Sequence, residues 1–192
     1  MIVFLPVVYK GTEMKYFVLQ VQTGYEERIL KLIETALSVE NLLDKGTLHL
    51  PKRELTIRRR GKTVKEQKPI YPGYLFWECE IFYPEVYWAV RPVDGMYKFL
   101  KSNSNIEELT GEDLHILLHF LQHGDVVGNS VVTFDEKKLI VIKKGPLKGL
   151  EGRIVKVDKR KKRAKIRLDV YNDGFLVDFG FEILEPVKNE KS

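Results

Sequence analysis

The sequence predicts an α+β protein in two parts: an antiparallel sheet with flanking helices, followed by a small module of strands. Three observations carry this. Up to residue 122 the pattern runs strand, helix, strands, helix, strand, helix. Residues 124–136, GDVVGNSVVTFDE, are rich in turn formers and carry no helical period. From 139 to 180 the chain is β-branched and glycine-rich, and no strong amphipathic helix is hidden in it. The expected segments are a leader at 1–13, a first domain at 14–122, a linker at 123–136, a second domain at 137–187 and a tail at 188–192.

The elements follow in order. KYFVLQVQ, 15–22, alternates as a strand. Thr23 or Gly24 opens a helix, with Glu26 and Glu27 in its first turn favouring the positive end of the helix dipole. Tyr25, Ile29, Leu32, Ile33, Ala36 and Leu37 recur at helical spacing and define its buried stripe. Residues 47–60 read as strand with a break at Pro51, and Gly61 sits at the tip of a basic hairpin carrying Arg58, Arg59, Arg60, Lys62 and Lys65. GYLFWECEI, 73–81, is the strongest strand of the first half. Pro84 in a first turn and Pro92 beyond the end bracket a short helix through Tyr87 and Trp88. Residues 96–100 return as a strand, and Thr110 with Asp113 makes a start like a capping box for a helix running to about Gly124. In the second part, glycines 145, 149 and 152 punctuate a turn. Two β-prone runs follow, Ile154, Val155 and Val157, then Ile166, Leu168 and Val170, and they meet in a hairpin crowded with lysine and arginine.

Charge is distributed unevenly. Residues 131–192 hold 16 Lys and Arg against 10 Asp and Glu, whereas residues 1–130 hold 16 against 17. The whole excess of +5 therefore lies in the last third, where local positive density suits phosphate. A solvated charge run is the plainer reading of such a hairpin, and the residues alone leave both open.

Enzyme chemistry finds no foothold. There is no GxxxxGK[ST], no GxGxxG after a strand and no nucleophile elbow. His115, His119 and His123 fall within about 80° of one helical stripe, with Leu114, Leu117, Leu118 and Leu121 expected on the opposite, buried side. That stripe reads as a polar face, not a metal site, and no cofactor is expected. Cys79 is the only cysteine, so no internal disulfide forms, and it reads as a small buried hydrophobe. The opening residues make a poor signal peptide, and no run approaches the roughly 20 apolar residues of a membrane helix. The chain reads as soluble and cytoplasmic.

Four motifs in order resemble the NusG family of transcription elongation factors. They are KYFVLQVQTGYEERI (15–29), YPGYLFWE (71–78), VRPVDGMYKFL (90–100) and GPLKGLEGRIVKVD (145–158), the last resembling the KOW module. The resemblance covers nearly all of residues 14–187. It implies a NusG N-terminal-like antiparallel sheet with flanking helices, then a small KOW-type, SH3-like β-barrel. Tyr16-Phe17 stands where the family often has Trp-Tyr, and YNDGF (171–175) where a Phe-Gly-Arg sequence is usual. VDFGFEIL (177–184) is similar to specialised paralogs of the LoaP type. Residues 1–13 precede the family's usual start, so Met14 competes with Met1 as the initiator.

The resemblance implies a monomer that binds the clamp helices of the largest subunit of RNA polymerase and favours processive elongation or antitermination, without chemistry of its own. Tyr71, Tyr74 and Phe76 match the contact motif, and Tyr16 is a candidate from the first strand. The alternative for Tyr74 and Phe76 is the domain's own core. Lys159, Arg160, Lys161, Lys162 and Arg163 would meet phosphates of nascent RNA, in LoaP-like members a structured leader. Tyr171 and Phe175 would stack on an unpaired base or join the core. Arg58, Arg59, Arg60 and Lys62 form a second candidate surface, facing upstream or non-template DNA. A general factor whose KOW module recruits Rho or a small-subunit ribosomal protein is the alternative, and a ribosome-associated KOW protein a more remote one. Some paralogs hide the polymerase site beneath a refolded C-terminal domain, whereas the β-rich text here favours a stable barrel.

Overall fold

The computed structural model describes residues 13–103, 105–171 and 173–184. The first half contains β1 (Lys15–Val21), α1 (Glu26–Val39), β2 (Thr47–His49), β3 (Lys52–Arg59), β4 (Lys62–Pro69), β5 (Tyr74–Cys79), α2 (Pro84–Val90) and β6 (Met96–Phe99). A two-residue pair follows, β7 (Lys101–Ser102) and β8 (Asn105–Ile106), then α3 (Gly111–Leu121) and β9 (Val126–Val127). The second half holds β10 (Ser130–Phe134), β11 (Ile140–Lys144), a 3-10 turn at Glu151–Arg153, β12 (Ile154–Asp158), β13 (Arg163–Val170) and β14 (Asp173–Ile183). The fold is thus α+β, with an N-terminal antiparallel sheet and a KOW-like five-stranded unit.

The first sheet runs β2-β5-β1-β6, and every pairing in it is antiparallel. Its central strands β1 and β5 are buried on both faces, which explains why KYFVLQV and YLFWEC are nearly continuous in apolar residues. Phe17, Leu19, Val21, Leu75 and Trp77 face α1 and α2, together with Ile29, Ile33, Leu37, Val86 and Val90. Tyr16, Val18, Tyr74 and Phe76 point the other way, into a cluster that takes in Ile116, Leu117 and Phe120 of α3 and the core of the second half. The second sheet has the order β11-β10-β14-β13-β12, with β10 parallel to β14 and the other pairs antiparallel. Its inward set, Ala164, Ile166, Leu168, Val177 and Phe179, shares that same cluster.

Several expectations change. The segment 123–136, expected to be linker, holds two strands: β9 pairs with β3, and β10 lies in the second sheet, seven residues before the expected start at 137. Its Val-Val pairs supply the apolar content that a turn-rich reading discounts. On α1, Tyr25 and Leu32 are exposed, while the charged Glu26 is buried. The helix starts at Glu26, and the Glu26 Oε2 accepts the Gly24 N–H at 3.0 Å. On α3, Thr110 makes no side-chain cap, and Leu118 is exposed because the buried arc falls on Ile116, Leu117 and Phe120. Val155 is exposed as well, since it sits at the irregular step in the β12–β13 ladder. The leader, apart from Glu13, and the tail at 188–192 lie outside the described residues.

Candidate interaction site

The YPGY turn is built before anything can bind it. Gly73 takes φ +85°, and a Cβ there would lie 2.7 Å from Thr23 Oγ1, so only glycine fits without a shift. The buried Glu26 carboxylate accepts the Gly73 N–H at 2.8 Å and so links the start of α1 to the turn. Sequence reasoning gave Glu26 only a helix-dipole role. Its burial shows that it anchors the loop carrying Tyr71 and Tyr74.

Tyr16, Tyr71, Tyr74 and Phe76 are brought together on one side of the sheet. They are also covered, at 7 %, 2 %, 8 % and 0 % exposed. Over Tyr71 and Tyr74 the cover comes from the second half of the chain and from α3. Phe175 lies with its ring 6.0 Å from that of Tyr71 and 6.4 Å from that of Tyr74, the latter nearly parallel. Phe120 of α3 touches Tyr71 edge-on at 6.2 Å and stacks on Phe179 at 5.3 Å. Aromatic faces of this kind bury large area at low entropic cost, which is the usual character of a binding hot spot. Here they are satisfied within the chain.

Polar contacts close the seam around this cluster. Arg53 on β3 donates from Nε to the Asp178 carbonyl at 2.6 Å and from Nη1 to the Pro69 carbonyl, with its guanidinium 5.8 Å from the Phe179 ring centroid. Burial pulls the Arg53 pKa down to about 10, against the opposing effect of Asp178. Arg153 meets Glu112 of α3 at 2.5 Å and Asp169 at 3.3 Å. The Tyr171 N–H donates to Asp113 at 2.9 Å, and its hydroxyl donates to the Glu107 carbonyl at 2.9 Å. His119 pairs with the Pro146 carbonyl at 2.8 Å, so the middle histidine of the helical stripe belongs to the seam. Among the described residues no cluster of three or more His, Cys, Asp or Glu is placed to hold a metal.

Tyr171 and Phe175 therefore pack against the first half of the chain and present no free ring for a base. Glu107, Arg53 and Phe179 escaped the sequence reading, and Asp113 was read only as part of a helix start. For Arg53 a signal existed: in β3 it shares its pleat with buried Leu55, and an arginine on an apolar face calls for a partner.

One orphan stands inside the seam. The Tyr71 hydroxyl is buried with no hydrogen-bond partner. Burial, reinforced by Asp113, raises its pKa above the ordinary value. Burial likewise raises Tyr74, and takes Tyr171 from 10.0 to about 12. A raised tyrosine favours the folded state while neutral, so this contribution is complete below pH 10 and is lost as pH climbs towards about 12. Alkaline titration is expected to loosen the seam in that window, with tyrosinate absorbance rising together with a change in near-ultraviolet circular dichroism. Ionisation without any such change would contradict the packing described.

The basic hairpins stand outside the seam. The turn between β12 and β13 exposes Lys159, Arg160, Lys161 and Lys162, and the Asp158 carboxylate accepts the Lys161 N–H at 2.9 Å. Lys159 Nζ lies 3.7 Å from the Phe134 ring centroid. Arg163 is half-buried and donates from Nη2 to the Thr56 carbonyl of β3 at 3.2 Å. Arg58, Arg59, Arg60 and Lys62 are exposed around the β3–β4 tip, where Arg60 and Gly61 both have positive φ. No described helix is long and apolar enough to cross a membrane.

Comparison with known proteins agrees with this architecture. The family model described as transcription termination factor NusG matches residues 14–118. The chain is 24 % identical over 183 residues to the transcription termination/antitermination protein NusG of Borreliella burgdorferi, covering 90 % of this chain and 98 % of that one. It is 21 % identical to the Vibrio cholerae protein of the same name, over 93 % and 98 % of the two chains. A solved structure of Thermotoga maritima NusG, described for its domain interaction, superposes with a TM-score of 0.58 at 19 % identity, over 88 % of this chain and 96 % of that one. With an N-terminal sheet of this kind, a KOW-like unit behind it and a family match across more than half its length, the chain belongs to the NusG family of transcription termination and antitermination factors.

Proposed function

We propose that the protein is an elongation factor that binds the clamp helices of RNA polymerase's largest subunit through Tyr16, Tyr71, Tyr74 and Phe76 and holds the enzyme in a processive, antiterminating state. The KOW-like unit meets nascent RNA through Lys159, Arg160, Lys161, Lys162 and Arg163. The protein acts as a cytoplasmic monomer. The arrangement described is its resting form, in which the second half occupies the face that polymerase needs. One observation supports this reading above the others: all four candidate residues lie on one side of the sheet, and a separate unit of the same chain covers that side at Tyr71 and Tyr74. A factor of this design binds polymerase in proportion to its open population, and polymerase in turn draws the equilibrium towards the open form.

Phe175→Ala tests it. Phe175 is half-buried and touches Tyr71 and Tyr74, so its loss weakens the cover without emptying the centre of the five-stranded unit. The variant is expected to pull down more polymerase than the parent chain. An opened, folded Phe175→Ala protein that captures no polymerase would remove the assignment.

A further inference from the structure

The two basic hairpins were expected to serve separate nucleic acids. The closed chain sets them side by side. Arg163, the first residue of β13, donates to the Thr56 carbonyl, and Thr56 lies only a few residues from the β3–β4 tip. At about 3.3 Å per strand residue, the tip at Arg60 extends roughly 13 Å beyond that contact. The Lys159–Lys162 turn begins at the same contact, immediately before Arg163. A cleft of about 130 Å³ lined by Lys156, Lys161, Arg163, Lys165 and two aspartates opens beside it.

Nearby carboxylates offset only part of this charge: Asp158 sits in the turn against Arg160 and Lys161. Glu54 is held by Lys65 and Asp178 by Lys165, while Arg58, Arg59, Arg60, Lys62 and Lys162 form no ion pair with a described carboxylate. Neither RRRGKTVK (58–65) nor KVDKRKKRAK (156–165) contains an aromatic residue. Phe134 is capped by Lys159, and Tyr171 and Phe175 are engaged in the seam. A surface rich in cations and without stacking rings suits a paired backbone, because single strands are held chiefly by stacking of their bases.

We infer that the docked chain builds one composite surface, from the β3–β4 tip and the β12–β13 turn together, that grips the phosphate backbone of a base-paired RNA stem. This deepens the RNA-binding reading above and rests on it. Neither hairpin alone provides the full set of contacts, so stem binding and domain docking favour one another, and the composite grip belongs to the resting form before polymerase is captured.

The test is fluorescence anisotropy of a labelled RNA stem-loop with the full chain across a salt series. Arg58, Arg59, Arg60 and Lys62→Ala, made together, is expected to weaken binding at least tenfold and to flatten the log–log salt slope by roughly two to three. Arg160, Lys161 and Lys162→Ala should do likewise. Arg28, Lys31, Arg91 and Lys98→Ala, an equal charge change away from both hairpins, should cost far less. Phe175→Ala, which loosens docking, should also weaken the stem while leaving both hairpins intact. Loss only with the β12–β13 set would overturn the composite surface and spare the RNA-binding reading; loss with neither set would overturn both. Equal binding of a DNA duplex or of unpaired RNA would overturn the assignment to an RNA stem.

Discussion

Replacing Arg53 by alanine is expected to open the chain. The side chain donates to Asp178 and Pro69 carbonyls and lies against Phe179, so its removal leaves two carbonyls without their donors and a gap beside the ring. Of these contacts only the bond to Asp178 and the packing on Phe179 cross the seam, and a hydrogen bond from a charged donor contributes about 1.5–3 kcal/mol. That shifts the closed-to-open ratio by roughly one to two orders of magnitude, since 1.4 kcal/mol is tenfold. Apparent affinity for polymerase scales with the open fraction, so it should rise by up to the same factor if the parent is mostly closed. Amide exchange at Tyr171, whose N–H is held by Asp113 across the seam, reports opening directly, and binding to purified polymerase reports its consequence. Because burial of the charge is itself costly, Arg53→Met should open the chain less than Arg53→Ala. Unchanged exchange in Arg53→Ala would show that the aromatic cluster holds the seam without it.

Tyr71 should behave in opposite ways according to what replaces it. Tyr71→Phe removes the orphaned hydroxyl and keeps the ring against Phe76, Phe120 and Phe175, relieving a burial penalty of about 1–3 kcal/mol. The closed form should melt several degrees higher and bind polymerase less readily. Tyr71→Ala instead empties a ring-sized space at the centre of the cluster and should cost about 3–5 kcal/mol. It removes a candidate contact and opens the seam together, so polymerase binding alone cannot interpret it. The informative comparison adds Tyr71→Phe and Tyr71→Ala to the Arg53→Ala background, where masking is already lost. There, Tyr71→Ala should abolish polymerase capture and Tyr71→Phe should retain most of it. Full capture by the double variant with alanine would exclude Tyr71 from the polymerase contact.

The two-part division and most strands of the first half were legible because each rests on local signals, such as alternation in β1 and β5, the prolines around α2 and the turn glycines. The closed state was not, because no local signal says which second surface an aromatic face will meet. Tyr74 and Phe76 look the same in sequence whether they face a helix, a partner or a later part of the chain. Arg53 and Glu26 show a second gap. Arg53 was not singled out and Glu26 was given only a dipole role, yet both are buried, each satisfied by main-chain groups brought from elsewhere. Their partners are set by tertiary contact, Arg53 and Asp178 lying 125 residues apart. The β3–β4 and β12–β13 hairpins were each read in place; their proximity depends on docking.

In the proposed open form the connection between the halves would lengthen. While the chain is closed, β9 is zipped to β3 through Val126 and Val127, and only Gly128 and Asn129 separate it from β10. So short a leash holds the second unit at high local concentration and brings it back quickly after each small excursion. Arg53 lies in the very pair, Arg53 with Val127, that fastens this strand. Once that pair parts, residues 122–129 are freed, and a tether of that length can stretch to roughly 26–29 Å. If opening also parts β9 from β3, the freed segment pays out slack like a ripcord, and the second unit gains the reach to find a target away from the aromatic face.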